Sequence, residues 1–408
     1  METHLADWLK GTPDGDTAES ILRKCVHCGF CTATCPTYQL LGDERDGPRG
    51  RIYLIKQVVE GAKPTVATQQ HLDRCLTCRN CESTCPSGVD YGHLVDIGRK
   101  LVDESVPRKP MDKLVRVALR EGLTRRWLFD PAMKIGKAMR PLLPGTLKKK
   151  VPNAAAPGQW PSGQQSRKVI LLNGCVQPAM MPAIDAATAR VLDKLGIESL
   201  VPTGSGCCGA IRHHLNDHPG SHADAKRNID AWWPLIESGA AEALIMNASG
   251  CGAMVKDYAH LLRDDPAYAE KATRVVSLTK DLAEYLPEQV DQIKPLMKRS
   301  ADHPVVFHPP CTLQHGQQVR GSVETLLRAL DVEVTPVIDG HLCCGSAGTY
   351  SVTQPVLATK LRDQKLQGLT AHGATEILSA NIGCLTHLQT GTDHTVRHWI
   401  EWLDEAIA

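Results

Sequence analysis

Sixteen cysteines in a chain of 408 residues offer the clearest chemistry, and eight of them lie between Cys25 and Cys85. Those eight repeat one spacing, Cys25-x2-Cys28-x2-Cys31-x3-Cys35-Pro36 and Cys75-x2-Cys78-x2-Cys81-x3-Cys85-Pro86. Two-residue gaps wrap the backbone round one corner of a [4Fe-4S] cube. Three thiolates then reach three irons, the fourth cysteine serves the other cube, and the proline turns the chain away. The expected ligand sets are Cys25, Cys28, Cys31 and Cys85 for one cluster, and Cys75, Cys78, Cys81 and Cys35 for the other. Zinc is the competing chemistry, but zinc sites usually take two separated cysteine pairs rather than two complete four-cysteine runs. His27 sits inside a run whose cysteines already saturate its cube. Arg23, Lys24, Arg74 and Arg79 flank the runs as surface residues that could offset cluster charge.

The other eight cysteines expose an internal duplication. Thirty-one residues separate Cys175 from the pair Cys207-Cys208, and thirty-one separate Cys311 from Cys343-Cys344. Each pair is followed by a glycine, Gly209 or Gly345, and each copy ends on one more cysteine, Cys251 or Cys384. Adjacent cysteines reach one centre only if the chain turns sharply, which the glycine permits. Cys175, Cys207, Cys208 and Cys251 therefore form one candidate metal site, and Cys311, Cys343, Cys344 and Cys384 a second. Four thiols suit either an iron–sulfur cluster or a zinc ion, and redox-active thiols are a third reading. His308, His315, His341 and His387 lie near the second set; Cys384-x2-His387 has metal-ligand spacing, which makes His387 the best extra candidate. The segment 204–209 formally matches G-x-G-x-x-G, but its counterpart at 340–345 lacks the middle glycine, so the cysteine site explains the pattern better than a nucleotide.

These residues need elements to position them. The first module offers no strand run; Pro48 is placed like a first-turn proline, with Ile52, Ile55 and Val59 on one face, and 93–102 is a further helix. Each duplicated copy reads as strand, helix, strand, helix, strand: 169–172, 182–195, 199–202 and 242–247 in copy one, and 305–308, 323–330, 332–337 and 376–380 in copy two. Strands alternating with helices imply parallel sheets, and all eight cysteines then fall just past carboxyl ends of strands, the rim where open α/β sheets place ligands. The expected fold class is multidomain α and α/β. A helical ferredoxin domain at 15–110 precedes a connecting segment at 111–166 that opens with a helix, and two Cys-Cys-Gly domains follow at 167–300 and 301–408.

Composition removes several functions. Hydrophobic residues make up 42% and charged ones 22%, as in an ordinary globular protein, and 46 Lys and Arg against 45 Asp and Glu leave no basic excess for nucleic acid. No apolar stretch is long enough to span a bilayer, and the start lacks signal-peptide order, so the chain reads as cytoplasmic. Neither a Ser/His/Asp order nor paired carboxylates stand out, so no catalytic residue is expected.

The combination resembles the iron–sulfur subunits of the heterodisulfide reductase and anaerobic glycerol-3-phosphate dehydrogenase type, and most nearly the glycolate oxidase iron–sulfur subunit family. SILRKCVHCGFCTATCPTYQLLG at 20–42, DGPRGRIYLIK at 46–56, HLDRCLTCRNCESTCP at 71–86 and CCGSAGTY at 343–350 carry the resemblance, with AATARVLD at 186–193, NIDAWWP at 228–234 and VRHWI at 396–400. It implies a complex in which flavin subunits oxidise glycolate to glyoxylate and this chain passes the electrons to an acceptor such as a membrane quinone. Through that complex it would sit at the inner face of the cell membrane. Lactate dehydrogenase and glycerol-3-phosphate dehydrogenase subunits, and a disulfide-reducing Cys-Cys-Gly protein, are the alternatives. Family Cys-Cys-Gly domains often end in Cys-x2-Cys; here Met254 and His387 stand at the last cysteine's place.

Overall fold

The computed structural model describes residues 1–145, 148, 151–152, 155–298 and 303–407. The first module is helical: α1 Pro13–Lys24, α2 Phe30–Ala33, α3 Pro36–Leu41, α4 Pro48–Val59, α5 Val66–Asp73, α6 Asn80–Thr84 and α7 Tyr91–Ser105. Thr12 caps α1 by accepting from the Gly15 N–H, and acidic Asp14 and Asp16 stand in its first turn with Arg23 and Lys24 in its last. Pro48 opens α4, and Ile52, Ile55 and Val59 are buried against Leu94, Val95 and Val102 of α7. The two helices cross at Gly98, where a Cβ would lie 2.5 Å from Ile55 Cγ1. Only glycine allows that approach.

Segment 111–166 opens on a helical hairpin, α8 Pro110–Thr124 and α9 Arg126–Ala138, neither of which buries a residue. Met111, Leu114, Trp127, Leu128, Ile135 and Met139 all face solvent. Lys137 Nζ donates to Ala179 O at 2.8 Å, so α9 rests beside the segment that follows Cys175.

Each duplicated copy is a four-stranded parallel sheet with one shared order. Copy one runs β2-β1-β3-β4 and copy two β6-β5-β7-β8. The strands are β1 Arg167–Leu171, β2 Ile197–Leu200, β3 Ala243–Met246, β4 Thr279–Asp281, β5 Val305–His308, β6 Val334–Thr335, β7 Glu376–Ser379 and β8 Thr395–His398. The sequence reading found three strands per copy and missed β4 and β8. Both are short edge strands with too few apolar residues to make a run. In exchange, each leads directly into a helix closed by a capping box, on Asp281 and on His398. One core joins the sheets: Val169, Leu171, Ile184 and Val191 pack with Val305, Phe307, Ile377 and Trp399.

The helical module docks on both copies. His93 meets Asp257 at 2.9 Å and His213 meets Asp96 at 3.2 Å on copy one. On copy two, Asn80 Nδ2 donates to His341 O at 3.1 Å, Ser83 Oγ meets His315 Nδ1 at 3.0 Å, and the Tyr350 hydroxyl donates to Arg74 O at 3.2 Å.

The two histidine–carboxylate bridges make docking depend on pH. Burial alone would lower both histidines, but Asp257 and Asp96 outweigh it and raise them. Asp257 sits at about 2, because His93 overcomes its burial. The histidine contributions are fully present below the ordinary value of about 6.5 and are lost as pH rises through the raised values. The carboxylate contributions are present above about 3.9 and are lost as pH falls through the lowered ones. Replacing His93 and His213 together by Gln should therefore lower the melting temperature more at pH 6 than at pH 9. Equal losses at both would contradict this account.

Candidate metal centres

The two N-terminal runs share one backbone wrap. His27 and Gly29 have φ of 60° and 89°, and the matching Thr77 and Arg79 have 50° and 59°. A β-branched threonine held at positive φ is uncommon and marks a strongly determined loop. Each run leaves a helix (α1 or α5), curls through these two left-handed residues, and re-enters a short helix carrying its third cysteine, Cys31 on α2 and Cys81 on α6.

The wrap gathers sulfurs from both runs. Cys31 has Cys25, Cys85 and Cys28 as its charged neighbours, and burial first, then those sulfurs, push its thiol up to about 11. Cys81 has Cys78, Cys75 and Cys35 around it and is raised further, again chiefly by burial. The fourth cysteine of each run thus stands with the other run's first three. Thiols packed this way can ionise together only around a cation, which is the condition a metal cluster meets. The first group, together with Cys81 of the second, lines a small open pocket beside Arg49 and Tyr91. Cys28, Val26 and Phe30 are exposed there, whereas Cys75 and Cys81 are buried.

Buried arginines, which the sequence did not single out, lie around the second group. Arg51 is 1% exposed, donates from Nε to His71 O at 2.8 Å, and faces Asp46 at 3.6 Å. Cys75 and Cys35 are among the groups whose charge acts on it. Arg99 Nη2 donates to Cys75 O at 2.6 Å. Of the flanking cations read from the sequence, Arg74 lies 2.8 Å from Asp46, and Arg79 Nη2 lies 3.3 Å from His93 Nε2. His27 is exposed and stacks on Tyr53 at 6.3 Å.

In the duplicated copies the four thiols form matching chains of contact. The Cys175 thiol neighbours that of Cys207, Cys207 that of Cys208, and Cys208 that of Cys251, all of them free. Cys311 lies 3.7 Å from Cys343, and Cys343, Cys344 and Cys384 continue the chain. Gly209 and Gly345 have φ of 93° and 86°, and each donates its N–H at 3.4 Å to the first sulfur of its pair, Cys207 or Cys343. A Cβ on Gly345 would lie 2.6 Å from Ala358 O, so the turn admits no side chain. Lys365, 4% exposed, donates to Asp339 O at 2.8 Å and feels the charges of Cys344, Cys343 and Cys311.

Of the nearby histidines, His387 is placed against Ala358, its Nε2 3.1 Å from that carbonyl oxygen. His308, rather than His387, groups with the copy-two sulfurs: it, Cys344 and Cys384 place ligand atoms within 4.8 Å of one another.

The second N-terminal group and the copy-two group adjoin. Leu76, Cys311, Cys343 and Tyr350 belong to one buried apolar cluster, with Cys78 and Leu40 packed on it. After burial, Cys311 is the largest influence raising the Cys78 thiol, and Cys78 in turn acts on Cys343.

Comparison with known proteins fits this arrangement. The family described as "4Fe-4S dicluster domain" matches residues 21–89, and the one described as "Cysteine-rich domain" matches 169–256 and 305–389. The "Glycolate oxidase iron-sulfur subunit" of Escherichia coli is 50% identical over 410 residues, covering 100% of this chain and 99% of that protein. This chain belongs to the glycolate oxidase iron–sulfur subunit family. The "Probable glycolate oxidase iron-sulfur subunit" of Bacillus subtilis is 30% identical, with 92% and 90% coverage. A lactate utilization protein of Bacillus licheniformis is 29% identical over 224 residues, covering 54% of this chain and 90% of that one. A family with dicluster and cysteine-rich parts supports iron–sulfur chemistry and electron transfer. The donor sets also fit it, since every group consists of thiols able to close round a metal.

Proposed function

We propose that this chain carries electrons within a glycolate-oxidising complex. Flavin subunits convert glycolate to glyoxylate, and the electrons enter at the exposed first group of cysteines. Cys25, Cys28, Cys31 and Cys85 hold one [4Fe-4S] cluster, and Cys75, Cys78, Cys81 and Cys35 the other. Cys311, Cys343, Cys344 and Cys384 hold a third centre, with Cys175, Cys207, Cys208 and Cys251 as a further metal site. Bound clusters of this kind supply one-electron exchange. The chain's own residues hold them close, exclude water between them, and set their charge environment through Arg51, Arg99 and Lys365.

The observation that carries this reading is the apolar cluster joining Cys78 to Cys311 and Cys343, which packs the ferredoxin-type module directly against the copy-two thiols. The test is to assemble the complex with and without this chain and follow quinone or dye reduction. Glycolate should drive it only when the chain is present. Oxidation of lactate or glycerol-3-phosphate in place of glycolate would move the chain to a sister complex, and disulfide reduction by the chain alone would replace the reading altogether.

The acceptor is a membrane quinone, and the hairpin α8–α9 is the surface that brings the chain to it. Among the described residues no helix is long and apolar enough to cross a membrane. The hairpin instead presents Trp127, Ile135 and Leu142, 71%, 61% and 81% exposed, in a stretch (109–150) with twelve Lys and Arg against three Asp and Glu. An apolar face in a basic surround suits an anionic lipid surface. Replacing Trp127 and Ile135 by Ser should weaken binding to phosphatidylglycerol-containing vesicles roughly tenfold without changing the melting temperature. If binding is unchanged in a flotation assay, the hairpin is not the contact.

A further inference from the structure

We infer that His308 is a nitrogen ligand of the copy-two centre, so that the two duplicated sites hold metal with different donor sets. This rests on the reading that the copy-two thiols bind metal.

His308 ends β5, three residues before Cys311, and is 1% exposed. Its Nδ1 lies 2.9 Å from Ser379 Oγ, and that hydroxyl donates to the carbonyl oxygen of His308 at 3.1 Å. A serine hydroxyl has one proton. We assign it to the carbonyl, so that Ser379 accepts at Nδ1 and Nδ1 carries the ring proton. Nε2 is then a bare lone pair, buried and without a hydrogen-bond partner among the described residues.

A buried acceptor left unmet is unfavourable, and proteins rarely keep one without a use. Here the use lies alongside, because one ring nitrogen of His308 and the sulfurs of Cys344 and Cys384 fall within 4.8 Å of one another. Metal–nitrogen bonds of about 2.0–2.1 Å and metal–sulfur bonds of about 2.3 Å fit inside that spread. Metal-bound histidines almost always donate their other ring N–H to an oxygen, which fixes the tautomer; Ser379 supplies that oxygen.

Copy one lacks both parts of the device. His308 and Ser379 are cross-strand partners on β5 and β7. On β1 and β3, where Leu171 pairs with Ile245, the next step along both strands gives Leu172 and Met246 at the corresponding places. The imidazole and the hydroxyl that orients it are thus both replaced by apolar side chains in copy one, leaving that site to its thiols.

The test uses the full chain purified without air, with histidine labelled by nitrogen-15, and three variants. His308→Leu installs the residue copy one uses, and His308→Gln serves if that variant fails to fold. Cys344→Ser tests the underlying reading. Pulsed spin resonance of the reduced protein should show a directly bound histidine nitrogen in the parent chain and none in H308L, while the signals of the two N-terminal clusters persist. If the copy-two metal is zinc, its X-ray absorption should count one nitrogen donor, lost in H308L. If C344S keeps all its metal, the copy-two metal reading fails. If C344S loses metal while the parent shows no bound nitrogen, or H308L keeps both metal and spectrum, the assignment of His308 is overturned.

Discussion

Replacing Cys85 by Ser will remove the cluster of the first run, not that of the run in which Cys85 stands. Iron and sulfide per chain should each fall by about four, the content of one cube. The remaining spin signal should match that of Cys28→Ser and differ from that of Cys78→Ser. Cys35→Ser should give the converse pattern. The grounds are spatial: Cys85 is among the sulfurs around Cys31, and Cys35 among those around Cys81. The loss should also differ in severity. The first group lines an open cavity at the surface, whereas the second is buried against copy two, so Cys78→Ser should lower the melting temperature more than Cys28→Ser. A C85S spectrum identical to that of C78S would show that each run serves its own cube.

Asp46→Ala is expected to destabilise the protein by about 3–5 kcal/mol, the usual result of stripping one partner from a buried ion pair. Asp46 is fully buried and faces two arginines and a histidine, with His71 Nδ1 at 2.9 Å, Arg74 at 2.8 Å and Arg51 at 3.6 Å. Its own carbonyl oxygen accepts from Thr37 Oγ1 at 2.8 Å, two residues beyond Cys35. Removing the carboxylate leaves Arg51 buried and uncompensated next to Cys35 and Cys75, so the second cluster should become labile as the fold weakens. Denaturant titration and iron content measured on one preparation would check both parts. Asp46→Asn, which keeps the shape and some hydrogen bonds, should fall between the parent and the alanine variant. A change of under about 1 kcal/mol in D46A would mean the network contributes only what a surface pair does.

The cysteine runs and the duplication were legible in the sequence because sulfur ligands must sit at fixed chain intervals, and an interval survives as a written pattern. Ile52, Ile55 and Val59 were legible for the same reason, as helical periodicity. Arg51 and Arg99 were not, since nothing local distinguishes an arginine that turns inward from one that faces water; only the carbonyls of His71, Leu72 and Cys75, brought near by folding, tell them apart. The relative placing of His387 and His308 was likewise out of reach of the sequence. Three residues along the helix Ile382–Gln389 put His387 on the side of Ala358, while His308 reaches Cys344 and Cys384 through strand pairing, which sequence spacing does not record. The edge strands β4 and β8 were missed because TKD and TVRH hold too few apolar residues to make a run, although Thr279, Asp281, Val396 and His398 are buried.

The apolar seam that buries Leu76, Tyr350, Cys311 and Cys343 has an electrical consequence as well as a structural one. Where apolar side chains stand between charges the screening weakens, so an electron settling on one side raises the energy of a second arriving on the other. Reductive titration should then spread over a wider span than independent sites would give, and the chain would tend to pass charge singly instead of storing a pair.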